Sequence, residues 1–192
     1  MENNLIALFD MDGTLFDYNL GLKNELNKIC YPEEPEVKLN FNDNPDYIKN
    51  RIDLITSSES WWENLPKFQL GWDVLNLVKE LEYKVHILTQ GPRKNPAAWS
   101  GKKKCIDKHF GEDFDLTLTR NKGLIYGKVL VDDYPEYINK WLEWRKRGLV
   151  VMPANDFNKD YSNPQVIRYD GSNLNEVYEA LIEIKNRTIR AK

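Results

Sequence analysis

The sequence predicts an α/β protein with a parallel sheet covered by helices on both faces. Short apolar runs of strand length recur along the chain, and segments with helical spacing of apolar residues separate them. Polar residues, several of them carboxylates, come directly after these apolar runs. The 192 residues suit one domain with a small insert.

The first predicted strand is the apolar run LIALF, from Leu5 to Phe9. The loop DMDGT follows it, as its Asp and Gly residues indicate. The next block is rich in Pro, Asn and acidic residues, and short helical patterns flank these stretches without a strand of the core type. We therefore predict a small helical cap over 18–66, inserted after the first strand, and an α/β core over 1–17 and 67–192.

The core continues with a helix over Leu70–Leu81 and a strand over Lys84–Leu88, with Thr89 at its end. The Gly and Pro residues of QGPRKNPAAW indicate a loop, and KKKCIDKHF indicates a helix that ends at Gly111. The remaining predicted elements are the strands DLTLT and KVLV, a helix over 134–147, strands over 148–152 and 165–169, and a closing amphipathic helix over 174–187.

The composition excludes several classes of function. The net charge of -3 gives no basic footprint for long nucleic acid, and no stretch is long and apolar enough to span a bilayer. The N-terminus lacks the charged leader and long apolar run of a signal peptide. Cys30 and Cys105 are too few for a disulfide framework, so we expect a reduced, cytoplasmic protein without a membrane partner.

Polar side chains end four of the predicted strands. The residues in question are Asp10 and Asp12 after the first strand, Thr89 after the second, Lys122 after the third, and Asp132 and Asp133 after the fourth. In parallel sheets, ligands bind outside the carboxyl ends of the strands, at the point where the strand order reverses. If these strands are neighbours, we expect the polar groups to converge in one crevice.

This set of side chains suits phosphoryl chemistry. Closely spaced carboxylates repel one another in a poorly solvated site, and Mg²⁺ is the cation that hard oxygen ligands with room for phosphate favour. Lys122 and Thr89 would then face the phosphate. Asp10 can attack phosphorus to give an aspartyl-phosphate, while Asp12 acts as general acid and then as general base.

DMDGT, together with Thr89, Lys122 and the Asp132-Asp133 pair, resembles the four-motif set of haloacid dehalogenase-like (HAD) phosphatases. The resemblance runs from residue 5 to about 140 and implies a Rossmann-like three-layer fold. It also implies that Mg²⁺ is held by Asp10, by the backbone carbonyl of Asp12 and by a carboxylate of the pair, for which we favour Asp133 with Asp132 in support.

A narrower resemblance, to the 5'(3')-deoxyribonucleotidases, is carried by VHILTQGPRKNPAAWSGKKKCIDKHFG and LTRNKGLIYGKVLVDDYPEYI. It implies a nucleoside 5'-monophosphate as the small-molecule partner, a lysine that helps hold the phosphate, and cap aromatics that stack on the base. The predicted substrate- and phosphate-binding residues are therefore Thr89, Gln90, Lys102, Lys122, Tyr18 and Trp62. The oligomeric state is not readable from the sequence.

Other interpretations stay open at this stage. Asp10 and Asp12 could be turn residues, Lys122 a solvated turn lysine, and Thr89 a loop cap. At the level of function, the alternatives are hydrolysis of sugar phosphates or nucleic-acid termini, a phosphotransferase, and a nucleotide-binding protein without catalysis. Trp141 and Trp144 lie at helical spacing and are expected in the core.

Overall fold

Six parallel strands form one sheet in a computed structural model of the chain. The structure describes residues 5–34, 39 and 44–190, without the side chains of 188–190. The strands are β1 (Ile6–Phe9), β2 (Lys84–Thr89), β3 (Leu116–Leu118), β4 (Val129–Val131), β5 (Leu149–Pro153) and β6 (Val166–Tyr169). Their order across the sheet is β3-β2-β1-β4-β5-β6, so the chain runs outward from β1 on one side and from β4 on the other.

Seven α-helices lie among the described residues. They are α1 (Tyr18–Lys28), α2 (Asp46–Thr56), α3 (Glu59–Glu63), α4 (Gln69–Glu80), α5 (Pro96–Phe110), α6 (Pro135–Leu142) and α7 (Leu174–Arg190). Two 3₁₀ turns, Lys122–Leu124 and Asp156–Asn158, follow β3 and β5. None of the described helices is long and apolar enough to cross a membrane.

The chain forms two compact units. The first holds the whole sheet with α4, α6 and α7 and comprises residues 1–16, 67–90 and 115–192. The second is helical and comprises 17–66 together with 91–114, because α5 packs on α3. The sequence prediction assigns 91–114 to the core instead, and the boundaries of the predicted cap over 18–66 stay a prediction.

Helices cover both faces of the sheet. Crossovers between parallel strands are right-handed, and the chain steps from β1 to β2 in one direction and from β4 to β5 in the other, so α4 and α6 cover opposite faces. On the α6 face, one buried cluster combines strand and helix side chains: Leu8, Leu88, Leu130, Val150, Met152, Ile138, Trp141 and Leu142. The helix α7 packs against α4 and against β5 and β6.

The strand order reverses between β1 and β4, which pair in register from Ala7 opposite Val129 to Phe9 opposite Val131. The next backbone amide, that of Asp10, donates a 2.9 Å hydrogen bond to the Val131 carbonyl. This bond places the residue after β1 beside the residue after β4, where parallel sheets bind ligands.

The predicted strands are confirmed, with ends that shift by at most one residue. Two predicted helices have the wrong length. The helix α5 begins at Pro96, within the segment predicted as a loop, because Asn95 accepts a hydrogen bond from the Ala98 amide and caps the helix. The helix α6 ends at Leu142 rather than at 147, and Trp144 beyond it is 75% exposed, so its predicted place in the core is wrong.

Candidate active site

The loop after β1 folds back on itself immediately beyond the strand. The amides of Leu15 and Phe16 donate to the carbonyl of Met11 at 2.9 and 2.8 Å, and Gly13 donates to Phe16 at 2.8 Å. Gly13 has a φ of 69°, and a Cβ there would lie 2.1 Å from Oδ2 of Asp133. A residue with a side chain would therefore meet both backbone strain and a clash with the Asp pair.

Three carboxylates meet at this edge of the sheet. One oxygen each of Asp10, Asp132 and Asp133 lies within 4.8 Å of the others, and the three residues are 5%, 0% and 6% exposed. The predicted convergence of the strand ends is therefore observed for β1 and β4. Three ionised carboxylates this close and this buried repel one another strongly unless cations lie among them.

Lys122 supplies one cation. Its ammonium lies 2.9 Å from Oδ1 of Asp10 and donates a 2.6 Å hydrogen bond to Oδ2 of Asp132, and the side chain is 1% exposed. Burial by itself would lower the pKa of Lys122, but the charges of Asp10 and Asp132 outweigh it and raise the pKa above its ordinary value. Lys122 is therefore a permanently charged group inside the cluster.

One lysine does not neutralise three carboxylates. Burial raises the pKa of Asp132 to about 6, in spite of the hydrogen bond from Lys122. Burial also raises the pKa of Asp133 well above its ordinary value, and the neighbouring Asp132 and Asp10 charges raise it further. In the absence of another cation, the cluster therefore favours protonated carboxyl groups.

The donors fit a divalent cation. Oδ1 of Asp10 is buried, and although the Lys122 ammonium is near, no hydrogen bond of good geometry reaches this atom from the part of the chain that is described. This buried carboxylate oxygen lacks a hydrogen bond from the described residues, and oxygens of two further carboxylates lie within 4.8 Å of the Asp10 carboxylate. Such a set of oxygen ligands is one that Mg²⁺ favours.

The two members of the Asp pair have different partners. Asp132 accepts hydrogen bonds from Lys122 through Oδ2 and from the Tyr134 amide through Oδ1, at 2.6 and 3.0 Å. Asp133 accepts from two neutral donors, Thr14 Oγ1 at 3.3 Å and Asn155 Nδ2 at 3.2 Å. Asp132 is therefore the hydrogen-bonded partner of Lys122, and the sequence-based preference for Asp133 as the metal ligand stays a prediction.

Solved structures resemble this chain over nearly its whole length. The chain is similar to a protein from Burkholderia xenovorans LB400 assigned to the haloacid dehalogenase-like hydrolases, with 12% identity and a TM-score of 0.55 over 95% of this chain and 99% of that one. A HAD hydrolase of family IA, variant 3, from Entamoeba histolytica HM-1:IMSS matches over the same shares of the two chains, with 15% identity and a TM-score of 0.51. The fold is that of the HAD-like hydrolases. No family model and no curated protein matches the sequence.

The remaining predicted site residues of the sheet unit occupy strand ends of this HAD-like fold. Asp12 is half-buried in the loop after β1, where it pairs with Phe16 in a backbone bridge. Thr89 is buried at the end of β2, and Gln90 beside it is half-buried. Their roles, like those of all the site residues, stay predictions.

The helical unit holds the other predicted residues. Lys102 on α5 is 1% exposed, and its ammonium lies 5.2 Å from the ring centre of Trp62. Tyr18, Trp61 and Trp62 form a three-ring cluster with centroid separations between 4.8 and 5.7 Å. Trp62 is 3% exposed, and its indole N–H donates a 2.7 Å hydrogen bond to the Thr56 carbonyl. Contacts within the helical unit therefore account for much of the burial of the Trp62 ring.

Sequence reasoning missed a group of residues that hold Asp133. The side-chain amide of Asn158, a residue with no exposed surface, donates to the Asp133 carbonyl at 3.0 Å, and Asn155 reaches the carboxylate itself. Arg168 on β6 in turn donates to Oδ1 of Asn158 at 3.1 Å and to the carbonyl of Asn155 at 3.2 Å. The only signal in the sequence was the Asn-x-x-Asn spacing of a turn cap, which does not reveal the contact with Asp133.

Proposed function

We propose that this protein is a Mg²⁺-dependent phosphomonoesterase that hydrolyses nucleoside 5'-monophosphates, deoxyribonucleotides foremost. One observation carries the proposal. Three buried carboxylates and a buried lysine meet at the switch point of a HAD-like sheet, with Asp10 ion-paired to Lys122 at 2.9 Å. A cation-dependent site that combines a nucleophile with a fixed positive charge is what phosphoryl transfer requires.

In the proposed reaction, Asp10 attacks phosphorus through a carboxylate oxygen, and the bond from phosphorus to the ester oxygen breaks. Asp12 gives its proton to the leaving oxygen, so that the alcohol departs neutral. Asp12 then takes a proton from water as that water attacks the aspartyl-phosphate, and Asp10 and inorganic phosphate are released. Lys122 stays charged throughout and offsets the negative charge that develops on the phosphoryl oxygens.

Asp10 and Asp133, with the backbone carbonyl of Asp12, would hold Mg²⁺, which supplies charge neutralisation at the phosphoryl group. Asp132 keeps Lys122 in place, and Thr14 and Asn155 keep Asp133 in place. We therefore expect Mg²⁺ to raise the melting temperature by several degrees, an effect that Asp133→Asn should abolish. This measurement does not depend on turnover.

The nucleotide part of the proposal rests on the resemblance to the deoxyribonucleotidases and on the aromatic and basic residues of the helical unit. The test is phosphate release from a panel of phosphomonoesters with Mg²⁺ and with chelator. The panel holds nucleoside 5'- and 3'-monophosphates, sugar phosphates and a 5'-phosphorylated oligonucleotide. Metal-dependent phosphate release confined to mononucleotides supports the proposal. Release from sugar phosphates or from the oligonucleotide, without release from mononucleotides, refutes the proposed substrate class but agrees with the proposed phosphomonoesterase reaction.

The nucleophile is tested separately with Asp10→Asn, which removes the attacking oxygen and one of the repelling charges. We expect turnover to fall by at least about 10³-fold while the protein stays folded. Full activity in this variant would refute the assignment. If the wild-type protein binds Mg²⁺ yet releases no phosphate from any ester, product analysis with added alcohols as acceptors decides between a phosphotransferase and a binding protein.

A further inference from the structure

Exposed aromatic side chains border the acidic cluster on the side of β4 and β5. Tyr134 comes directly after the Asp pair and is 44% exposed, and Phe157 in the turn after β5 is 52% exposed. Their ring centres are 6.0 Å apart, and the ring of Tyr137 lies 5.1 Å from that of Tyr134. We call these three residues the aromatic surface.

The aromatic surface is fixed to the cluster by hydrogen bonds at both of its ends. The Tyr134 amide donates to Asp132 at 3.0 Å, and Asn155 and Asn158, which flank Phe157 in the chain, donate to Asp133. A third link is the ammonium of Lys122, which lies 4.8 Å from the ring centre of Tyr137. These contacts tie the backbone that carries the Tyr134 and Phe157 rings to the carboxylates, and place the Tyr137 ring beside the lysine.

Single apolar residues on a surface are ordinary and need no explanation. Here two large rings touch each other, yet both keep about half of their surface in solvent, beside the residues proposed to bind phosphate. Rings in this position can gain a further partner without breaking the contacts that they already make. An aromatic face attracts planar π-systems, and stacking a base on such a ring is worth about 1–3 kcal/mol.

We propose that Tyr134 and Phe157, with Tyr137 behind them, bind the planar group of the substrate, which is the nucleobase if the ester is a nucleotide. The proposal rests on the phosphomonoesterase function and narrows its substrate class to esters that carry a flat aromatic ring. It differs from the expectation that Tyr18 and Trp62 stack on the base, since these residues belong to the helical unit and pack against each other.

The test compares two substrates that differ only in the base: thymidine 5'-monophosphate and 2-deoxyribose 5-phosphate. Tyr134→Ala and Phe157→Ala should each lower kcat/KM for the nucleotide by about 5- to 150-fold, mainly through KM, as the loss of one stacking partner predicts. The sugar phosphate should change by less than about twofold. Phe157→Leu keeps the apolar volume but removes the π-face, so it should resemble the alanine variant.

Trp144→Ala is the matched control, because Trp144 is an aromatic residue of the same unit that is 75% exposed and lies outside the aromatic surface. Equal losses on both substrates, or no loss on the nucleotide, would overturn the proposal. If the wild-type protein hydrolyses no ester of the phosphomonoester panel, the phosphomonoesterase function fails, and calorimetric titration with thymidine 5'-monophosphate tests base binding by the aromatic surface separately. Weaker binding by Tyr134→Ala than by Trp144→Ala then supports it, and equal binding refutes it.

Discussion

Replacing Lys122 by methionine should destabilise the protein strongly. The ammonium lies 2.9 Å from Asp10 and 2.6 Å from Asp132, and the side chains of all three residues are at most 8% exposed. At an effective dielectric constant of 20, one pair at this distance attracts by about 6 kcal/mol, and the desolvation of the lysine offsets part of the gain. Breaking a buried pair from one side costs about 3–5 kcal/mol, which is the expected loss in the free energy of unfolding for Lys122→Met at pH 7.

The measurement is urea unfolding with chelator present, so that no divalent cation replaces the missing charge. Lys140→Met is the control, since its ion pair with Glu136 is exposed and should contribute less than about 1 kcal/mol. The loss should also depend on pH. Burial raises the folded pKa of Asp132 and Asp133, so the native state binds more protons than the unfolded state, and lowering the pH from 7 to 5 should restore part of the stability.

Two results would contradict this reasoning. A loss below about 1 kcal/mol at pH 7 would mean that the ammonium and the carboxylates are far better solvated than their burial indicates. A variant that becomes less stable between pH 7 and pH 5 would mean that the carboxyl groups have lowered rather than raised pKa values. Lys122→Met combined with Asp132→Asn should recover part of the loss, because it removes one of the carboxylates left without a cation.

Three further predictions concern other parts of the sheet unit. Tyr83→Phe should lower the free energy of unfolding by about 1–2 kcal/mol, since it deprives the buried Leu181 carbonyl of a 2.6 Å hydrogen bond; an unchanged urea midpoint would contradict this. Gly13→Ala should remove the thermal stabilisation by Mg²⁺, because its Cβ would clash with Asp133, and a normal Mg²⁺ titration would refute that reason. Burial lowers the pKa of His86, so its contribution to stability is full above the ordinary value of 6.5 and is lost as the pH falls from that value through the lowered pKa of the folded state. His86→Gln should flatten the decrease in stability seen by urea unfolding between pH 7.5 and 5.5.

The strands, and the polar residues that follow them, were predictable because a buried parallel strand appears in the sequence as a short run of apolar residues. β1 reads as an uninterrupted apolar run, and its three last residues have no exposed surface. The meeting of Asp10 with the Asp132-Asp133 pair then follows from parallel pairing alone. The HAD-like fold predicted from the four motifs is confirmed, while the deoxyribonucleotidase resemblance remains a prediction.

The parts that were not predictable depend on contacts between distant residues. Asn155 and Asn158 look like ordinary turn residues, and their bonds to Asp133 arise only because β5 lies next to β4. The start of α5 was missed for another reason. The segment QGPRKNPAAW contains Gly and two Pro residues and therefore reads as a loop, although Asn95 caps the helix and the second proline is its first residue.

The pairing at residues 16 and 67 has a consequence for how this protein can diversify. Phe16 and Lys67 lie side by side in an antiparallel backbone bridge within the sheet unit, so the stretch of chain between them leaves and returns at neighbouring points. Closing such a stretch costs little extra entropy as it lengthens, since each doubling adds only about 0.6 kcal/mol. Segments of very different length and composition can therefore be exchanged between these two points by mutation or by recombination, while the turn that carries Asp10 and Asp12 keeps its own internal hydrogen bonds.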